Sequence, residues 1–474
     1  MGSLTSALLG SSRSLDAFQF ALNVTSGNIE NASTPGYATQ AVNLIAEPYD
    51  TGTSVAGGVF AGPSVDSRDL LAEREVWQQA GPQGDASAQS DALAAVQNAM
   101  PIGSGAGIPA ALNTFFSDVS AWSVAPTSGS AQQNVLVSAG ALAQSFQATA
   151  AAVAAASPAV TGNINSTVDQ INKLTGQISA VNAEIQNGGS GNPGLDATLY
   201  SSIESLSGLV NINVLQQSGG SVNVTLSSGA ALVMGSQSYA LSAGNAPAPA
   251  GSADPLASPD IDIQASDGSV VTSQITSGTL AGLLQVRNVT IPGLIGDPSQ
   301  PGALNSLAST LADAVNSIVN AGSTTAGGAP TGIDLFTYNA NSPSAAASTL
   351  AINPNMTAAQ LGAVDANGVS NGVPLDIAAL ANSTPAALGS LTYTTFYGNT
   401  AGQVGSALSS AQNNQTMSAQ SLAQAQSMRQ TDSGVSLDAQ AVAVLQFQAG
   451  YQAIAKMVST IQTLMQSLIQ MMPT

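Results

Sequence analysis

The 474-residue chain contains no cysteine and no histidine, and only 7% of it is charged. Without cysteine there can be no disulfide staples and no thiolate metal sites, a composition compatible with passage into an oxidising exterior. Without histidine the commonest general base and metal ligand is missing. A nucleophilic site would then need a Ser–Lys pair or paired carboxylates, and Lys173 and Lys456 both sit in helical, Gln/Ser-rich surroundings. Cations are scarce: 7 Lys and Arg stand against 26 Asp and Glu, for a net charge of −19. Phosphate backbones require clustered Lys and Arg, whereas Arg13, Arg68, Arg74, Lys173, Arg287, Arg429 and Lys456 are scattered, so no nucleic-acid partner is expected. Long apolar runs are missing as well, and no membrane span is expected. The most apolar stretch, Ala453–Met472, is interrupted by Lys456, Gln462, Gln466 and Gln470. Leu4–Leu9 is too short and too Ser-rich for a secretory h-region, and Arg13 follows it, so export by a cleavable signal is not expected.

What is present is 44% hydrophobic residues, arranged most tellingly at the two ends. Near the start, Leu4, Leu8, Leu15, Phe18, Leu22 and Ile29 fall on steps of three and four, with Ser11 and Thr25 in the gaps. Near the end, Val444, Phe447, Tyr451, Ile454, Val458, Ile461, Met465, Leu468 and Met472 continue the pattern without a break. This spacing lines one side of a helix and favours coiling against a partner. In the second stripe Met457, Leu464 and Met471 are also apolar. The flanks, where a simple two-stranded coil would carry charges, hold Gln448, Ala455, Gln462 and Ile469. Helices without a charged face have neighbours on more than one side. Both ends are therefore expected to be mobile in isolation, to order when copies assemble and to supply the assembly interface. Two amphipathic helices packed in one monomeric core fit the same stripes.

Between the ends the pattern divides. The first helix should run from Ser3 to Asn31 and stop at Ser33-Thr34-Pro35-Gly36-Tyr37. Residues 41–80 read as an extended hairpin-like linker, and helices are predicted at 68–79, 85–99, 109–122, 131–156 and 163–187. The period changes from 3.6 to 2 near residue 209, predicting an antiparallel meander, with 242–260 a loop. A helix returns at 301–320, a loop-rich β module follows, and helix resumes from about Thr400 to Gln430. Length alone allows two to four domains. The expected fold is an elongated α+β multidomain protein: paired, coiled-coil-like terminal helices, a long helical bundle and small antiparallel β inserts. The expected units are 1–40 with 434–474 (terminal helices), 41–208 with 276–325 and 396–433 (bundle), 209–275 (β-rich insert) and 326–395 (small β module).

Two further patterns bear on chemistry. Asp260 and Asp262 alternate beside Asp267-Gly268 and could offer oxygen ligands to Ca²⁺, though a solvated acidic strand fits them better. Gly103-Ser104-Gly105-Ala106-Gly107 lacks the Lys-Ser/Thr of a phosphate loop and reads as a linker. No catalytic residue, cofactor or metal is expected.

Asn28-Ile29-Glu30-Asn31-Ala32-Ser33-Thr34-Pro35-Gly36-Tyr37 resembles the N-terminal signature of bacterial flagellar axial proteins (rod, hook and hook-associated). Pro35-Gly36-Tyr37 followed by Gln40 is most similar to its hook-associated members. So are Ser433-Gly434-Val435-Ser436-Leu437-Asp438, Leu445-Gln446-Phe447-Gln448 and Tyr451-Gln452-Ala453-Ile454-Ala455-Lys456. Thr39 departs from the family's usual Arg, and Ala197 to Ile203 replace an expected charged cluster, which puts charge-mediated contacts in doubt. The resemblance implies a structural subunit joining hook to filament, extracellular and exported by the flagellar type III route. Its implied partners are copies of itself in a ring or helical lattice, the hook protein, the next hook-associated protein, and a chaperone on the C-terminal helix. Asn28, Asn31, Thr34, Pro35, Gly36 and Tyr37 would form the turn that sets the angle to the next domain. A hook or rod subunit, or a surface hydrolase or adhesin anchored by helical ends, are the alternatives.

Overall fold

Helix α1 (Gly2–Glu30) opens the chain and ends at the turn around Pro35 and Gly36. Two strands follow, β1 (Gln40–Ala46) and β2 (Val59–Asp66), paired antiparallel with Gln40 opposite Asp66 and Ala46 opposite Val59. The computed structural model describes residues 2–48, 57–102, 105–249, 254 and 256–471. Met472 of the second stripe and Gly103-Ser104 of the glycine-rich stretch lie outside them.

Helix α2 (Leu70–Asn98) is capped by Asp69, whose carboxylate accepts from the Leu71 and Ala72 amides. It runs unbroken through Gly81-Pro82-Gln83-Gly84, where the sequence predicts two helices. The glycines explain the continuity. They let α2 press against the 207–209 and 277–279 segments, and the Gly278 amide donates to the Gly81 carbonyl at 3.1 Å. After α3 (Gly107–Val124) comes α4 (Gly129–Glu184), which likewise passes through Pro158 instead of splitting there. Proline removes one helical hydrogen bond. The buried stripe of Val135, Leu142, Phe146, Val153, Val160, Ile164, Ile171 and Ile178 runs past it on both sides, and that burial holds the helix together. Its 56 residues extend about 84 Å.

This continuity corrects the expectation that no stretch is long enough to span a membrane. By length and composition, Gly129–Gly189 is such a helix. Half of its most apolar window is buried inside the protein, as befits the central helix of a bundle.

Helix α5 (Pro193–Leu209) leads into the predicted meander: β3 (Ile212–Gln216), β4 (Val222–Leu226), β5 (Ala231–Met234) and β6 (Gln237–Ser238), antiparallel in that order. Strand β7 (Ser242–Asn245) pairs with β8 (Ile261–Gln264), so the first residues read as loop are strand. Next come α6 (Thr279–Gln285), α7 (Ile291–Ile295) and α8 (Ala303–Ala321). The 326–395 region carries less β structure than its loop-rich reading suggests. It holds only β9 (Phe336–Thr337) paired with β10 (Ala351–Ile352) and one isolated bridge, along with short helices α9 (Ala346–Thr349) and α10 (Gly372–Ala379). Helix α11 (Tyr393–Ser433) runs antiparallel to α2: Ser433 meets Asp69, Gln415 meets Ser87 and Tyr397 meets Pro101. Helix α12 (Leu437–Gln470) closes the chain.

The result is an elongated α+β multidomain protein. A continuous hydrophobic cluster extends from Ala88 to Ala411 around Phe115, Trp122 and Phe146, and both β regions feed it, through Val224 and Ile263 and through Leu335 and Phe336. No described residue of α1, β1, β2 or α12 belongs to it.

At Gly84 an added Cβ would run into the Gly208 carbonyl oxygen. Gly84→Ala is expected to push α2 off α5 and cost roughly 1–3 kcal/mol, read as a lowered urea midpoint.

Candidate functional site

The first and last helices pair antiparallel. Phe18 meets Phe447 edge-on, their ring centroids 6.3 Å apart, and the Asn28 side chain donates to the Gln440 side chain at 3.0 Å. At Gly450 there is no room for a Cβ, because the Phe18 ring lies over it. The stripe on α12 faces this contact. Val444, Phe447, Tyr451, Ile454, Val458 and Met465 are half-buried and Ile461 is buried, whereas Leu468 is exposed. On α1, Leu4, Leu8, Leu15, Phe18 and Leu22 are half-buried, and Ile29 is exposed.

The most buried face of α1 is a different one, made of small residues: Gly10, Ser11, Ser14, Ala17, Ala21, Thr25 and Asn28. Part of it receives the β1–β2 hairpin. Ser14 donates its hydroxyl to the Gly10 carbonyl and accepts the Val59 amide at 2.9 Å. Ser11 and Thr25, which the heptad pattern treats as gaps in the seam, are fully packed. The spacing of small residues was the available signal for this second contact.

Helix α12 has one buried residue along its whole length, Ile461. Away from the stripe it exposes Leu437, Val442, Leu445, Met457, Leu464, Ile469 and Met471, and it carries only two charges, Asp438 and Lys456. An apolar, nearly uncharged face of this length is the kind of surface that marks a protein–protein contact.

Below the helix pair lies the turn. Asn28 is 1% exposed and its carboxamide is fully used. It donates to the Gln40 carbonyl (2.9 Å) and to Gln440, and accepts from the Gln40 amide (2.9 Å) and the Tyr37 hydroxyl (2.9 Å). Two donors and two acceptor positions are all an asparagine side chain offers. Asn31 donates to the Gly27 carbonyl and accepts from Thr34, closing the helix end, and Pro35 is exposed at the apex. Gly36 has φ +74°, and a Cβ there would strike the Ala197 carbonyl, so only glycine fits. Burial, then the nearby Asp66 carboxylate, raise the Tyr37 pKa, which keeps the phenol a donor. Thr39, the departure from the flagellar signature, donates to the Gly434 carbonyl at 2.8 Å.

Behind the turn sits a charge cluster that the sequence reading missed. Glu73, 1% exposed, accepts from Arg68 at 2.5 Å and from Arg429 at 3.1 Å, and Arg429 also reaches Glu204 at 2.6 Å. Arg68 further contacts Asp66, donates to the Gly36 carbonyl at 2.8 Å and lies 3.9 Å over the Tyr200 ring. Tyr200 stacks on Trp77 on another side, and burial, only partly countered by Arg68, pushes its phenol up to about 12. Burial works against the Arg429 charge, but Glu204 and Glu73 outweigh it and hold the guanidinium above its ordinary value. Five charges converge here from sequence positions 66 to 429, a proximity no local pattern encodes.

Of the other candidates, Asp262 accepts from Thr272, and burial together with Asp297 raises the Asp260 carboxyl. Among the described residues no cluster of three or more His, Cys, Asp or Glu could hold a metal ion.

A family profile described as the flagellar hook-associated protein FlgK helical domain matches residues 93–336, more than half of the chain. The chain belongs to the FlgK family of flagellar hook-associated proteins. It is 26% identical over 313 residues to flagellar hook-associated protein 1 of Salmonella typhimurium, covering 64% of this chain and 54% of that one. To the protein of the same name in Escherichia coli K12 it is 25% identical over 285 residues (58% and 51% covered), and to that of Bacillus subtilis 27% over 195 residues (38% of each). The chain thus spans about half or less of the length of these relatives. A solved structure, the flagellar hook junction protein FlgK from Burkholderia pseudomallei, superposes with a TM-score of 0.47 at 26% identity, over 56% of this chain and 47% of that one. The match runs from the last turns of α2 to Phe336 in this FlgK-family chain; α1, most of α2, α11 and α12 lie outside it.

Asn28→Ala would strand the Gln40 amide and carbonyl and the Tyr37 hydroxyl. A loss of roughly 2–4 kcal/mol is expected, together with faster amide exchange at residues 37–41.

Proposed function

We propose that this chain is a structural subunit of the bacterial flagellum, standing between hook and filament and assembling through α1 and α12. The carrying observation is the face of α12 that α1 leaves open: Leu445, Leu464 and Ile469 are each more than half exposed on a helix with two charges. A helix so bare must be covered, and the covering surface should be as uncharged as itself. With a net charge of −19, copies of the chain repel at long range, so contact between them is favoured where charge is thinnest, at the paired ends.

In this reading copies stack side by side in a ring or helical lattice with their terminal helices inward. The hook protein lies on one side and the next hook-associated protein on the other. A chaperone covers the C-terminal helix until the chain is exported by the type III route to the extracellular flagellum. Asn28, Asn31, Thr34, Pro35, Gly36 and Tyr37 fix how the helix pair leaves the bundle, and the role is architectural, with no catalysis.

Deleting the gene should leave hooks intact, remove filaments and release flagellin into the medium; cells with normal filaments would refute the junction role. Complementation with the triple variant Leu445→Gln, Leu464→Gln, Ile469→Gln should yield a folded, secreted chain that restores no filament. Full motility with that variant would show that the exposed face of α12 is not the contact.

A further inference from the structure

The terminal unit of α1, β1, β2 and α12 meets the bundle through three chain crossings: residues 31–39, 67–69 and 433–436. Every tie identified between these crossings is polar. The Thr39 amide donates to the Ser433 carbonyl at 2.9 Å, and the Ser67 amide and hydroxyl both donate to the Thr39 carbonyl. The Asp69 amide donates to the Ser433 hydroxyl at 2.8 Å, and Arg68 donates to the Gly36 carbonyl. Beneath the turn is a polar cavity of about 190 Å³, lined in part by Thr34, Glu73, Arg429, Gln430 and Ser433. The hydrophobic cluster of the bundle reaches this place through Tyr200, under the Arg68 guanidinium, and takes in no residue of the three crossings. Two bodies joined by directional polar contacts around a cavity, without a shared apolar core, form a joint whose angle depends on those contacts.

Glu73 occupies the centre of the joint. Its two carboxylate oxygens face two different guanidiniums. Arg68 belongs to the crossing that grips the turn, and Arg429 lies one turn before the end of α11, where it also holds Glu204 of α5. One anion thus connects the turn after α1, the start of α2, the end of α11 and, through Arg429, α5. We infer that Glu73 is a positioning residue that locks the terminal helix pair at a single angle to the bundle, with Arg429 as its bridge to the far side.

Removing the Glu73 charge leaves an amide N–H facing one of the two guanidiniums, so only one side of the clasp can close. The helix pair then samples more than one direction while each body stays folded on its own contacts. The clasp acts within a single chain, whatever that chain goes on to build.

The absence of native cysteine permits clean double labelling. Spin labels at Gln19→Cys on α1 and Ser421→Cys on α11, both exposed positions, report the angle by electron–electron resonance in the dilute full-length chain. With Glu73 intact a single narrow distance distribution is expected, in place of the mobility in isolation that the stripes alone suggest, because α1 is paired with α12 and tied to the bundle within one chain. Glu73→Gln should broaden it to several distances without loss of helical circular dichroism. An unchanged narrow distribution would overturn the inference. Should Glu73→Gln lose helical signal, Arg429→Gln takes its place, since it leaves the Arg68–Glu73 pair intact: broadening supports the clasp, and a narrow distribution refutes it. Arg429→Lys, which keeps one cationic nitrogen between Glu73 and Glu204, should remain narrow. If it broadens as far as Arg429→Gln, charge is not what holds the angle. None of these readings depends on assembly, so a failed junction role and a failed clasp remain distinguishable.

Discussion

The antiparallel pairing of α1 with α12 is the constraint on which the rest of the architecture depends. The bond from Asn28 to Gln440 spans 412 residues of chain, and once it is made the intervening segments form one long excursion that leaves the pair and returns to it. The α2–α11 pair continues the same antiparallel course one level out, with Asp69 against Ser433. Closing so large a loop costs entropy that grows only slowly with its length. The short seam at the ends therefore need not be strong if the excursion between them folds on its own core, and the cluster from Ala88 to Ala411 supplies that core.

The two halves of the molecule are held by different physics. The bundle is stabilised by buried Val, Ile, Leu and Phe along α4 and its neighbours, a non-directional force that tolerates small displacements. The turn and joint are held by an asparagine with no spare hydrogen-bonding capacity and by a carboxylate shared between two arginines, and such contacts specify geometry. Among the described residues, four of the five ion pairs lie at the joint. A chain that spends so few charges has placed most of its ion pairs where orientation is decided. Ion pairs of this kind add little net stability, yet breaking one by removing a partner is costly, about 3–5 kcal/mol when buried.

The sequence made the helical stripes legible because burial on one side repeats every three or four residues, and the meander legible because its period is two. It misled at Pro82 and Pro158, where a local breaker was outweighed by packing spread over several turns on either side. It misled in part at 326–395, where short strand-like runs in a loop-rich stretch suggested a β module and the chain forms only the two-residue strands β9 and β10. Asn28, Gly36 and Tyr37 stood out by resemblance, but their roles required the fold: only there does Gln40 come within reach of Asn28, and only there does Ala197 close on Gly36. The clasp was invisible for a plainer reason. Arg68, Glu73, Glu204 and Arg429 lie in unrelated segments, and seven scattered cations look like solvated ones until the helices bring them together.

Charge scarcity links the two features. An exposed helix face without charges is a hazard for a free chain, since nothing on it discourages indiscriminate contact. It becomes specific only if the angle at which it is presented is fixed, so that a neighbouring copy meets it in one register. A loosely hinged α12 would offer the same apolar residues in many orientations and favour disordered association over a closed or helical array. If copies assemble through that face, as proposed, the buried carboxylate of Glu73 and the bare face of α12 are two parts of one arrangement. The face supplies attraction without direction, and the joint supplies the direction.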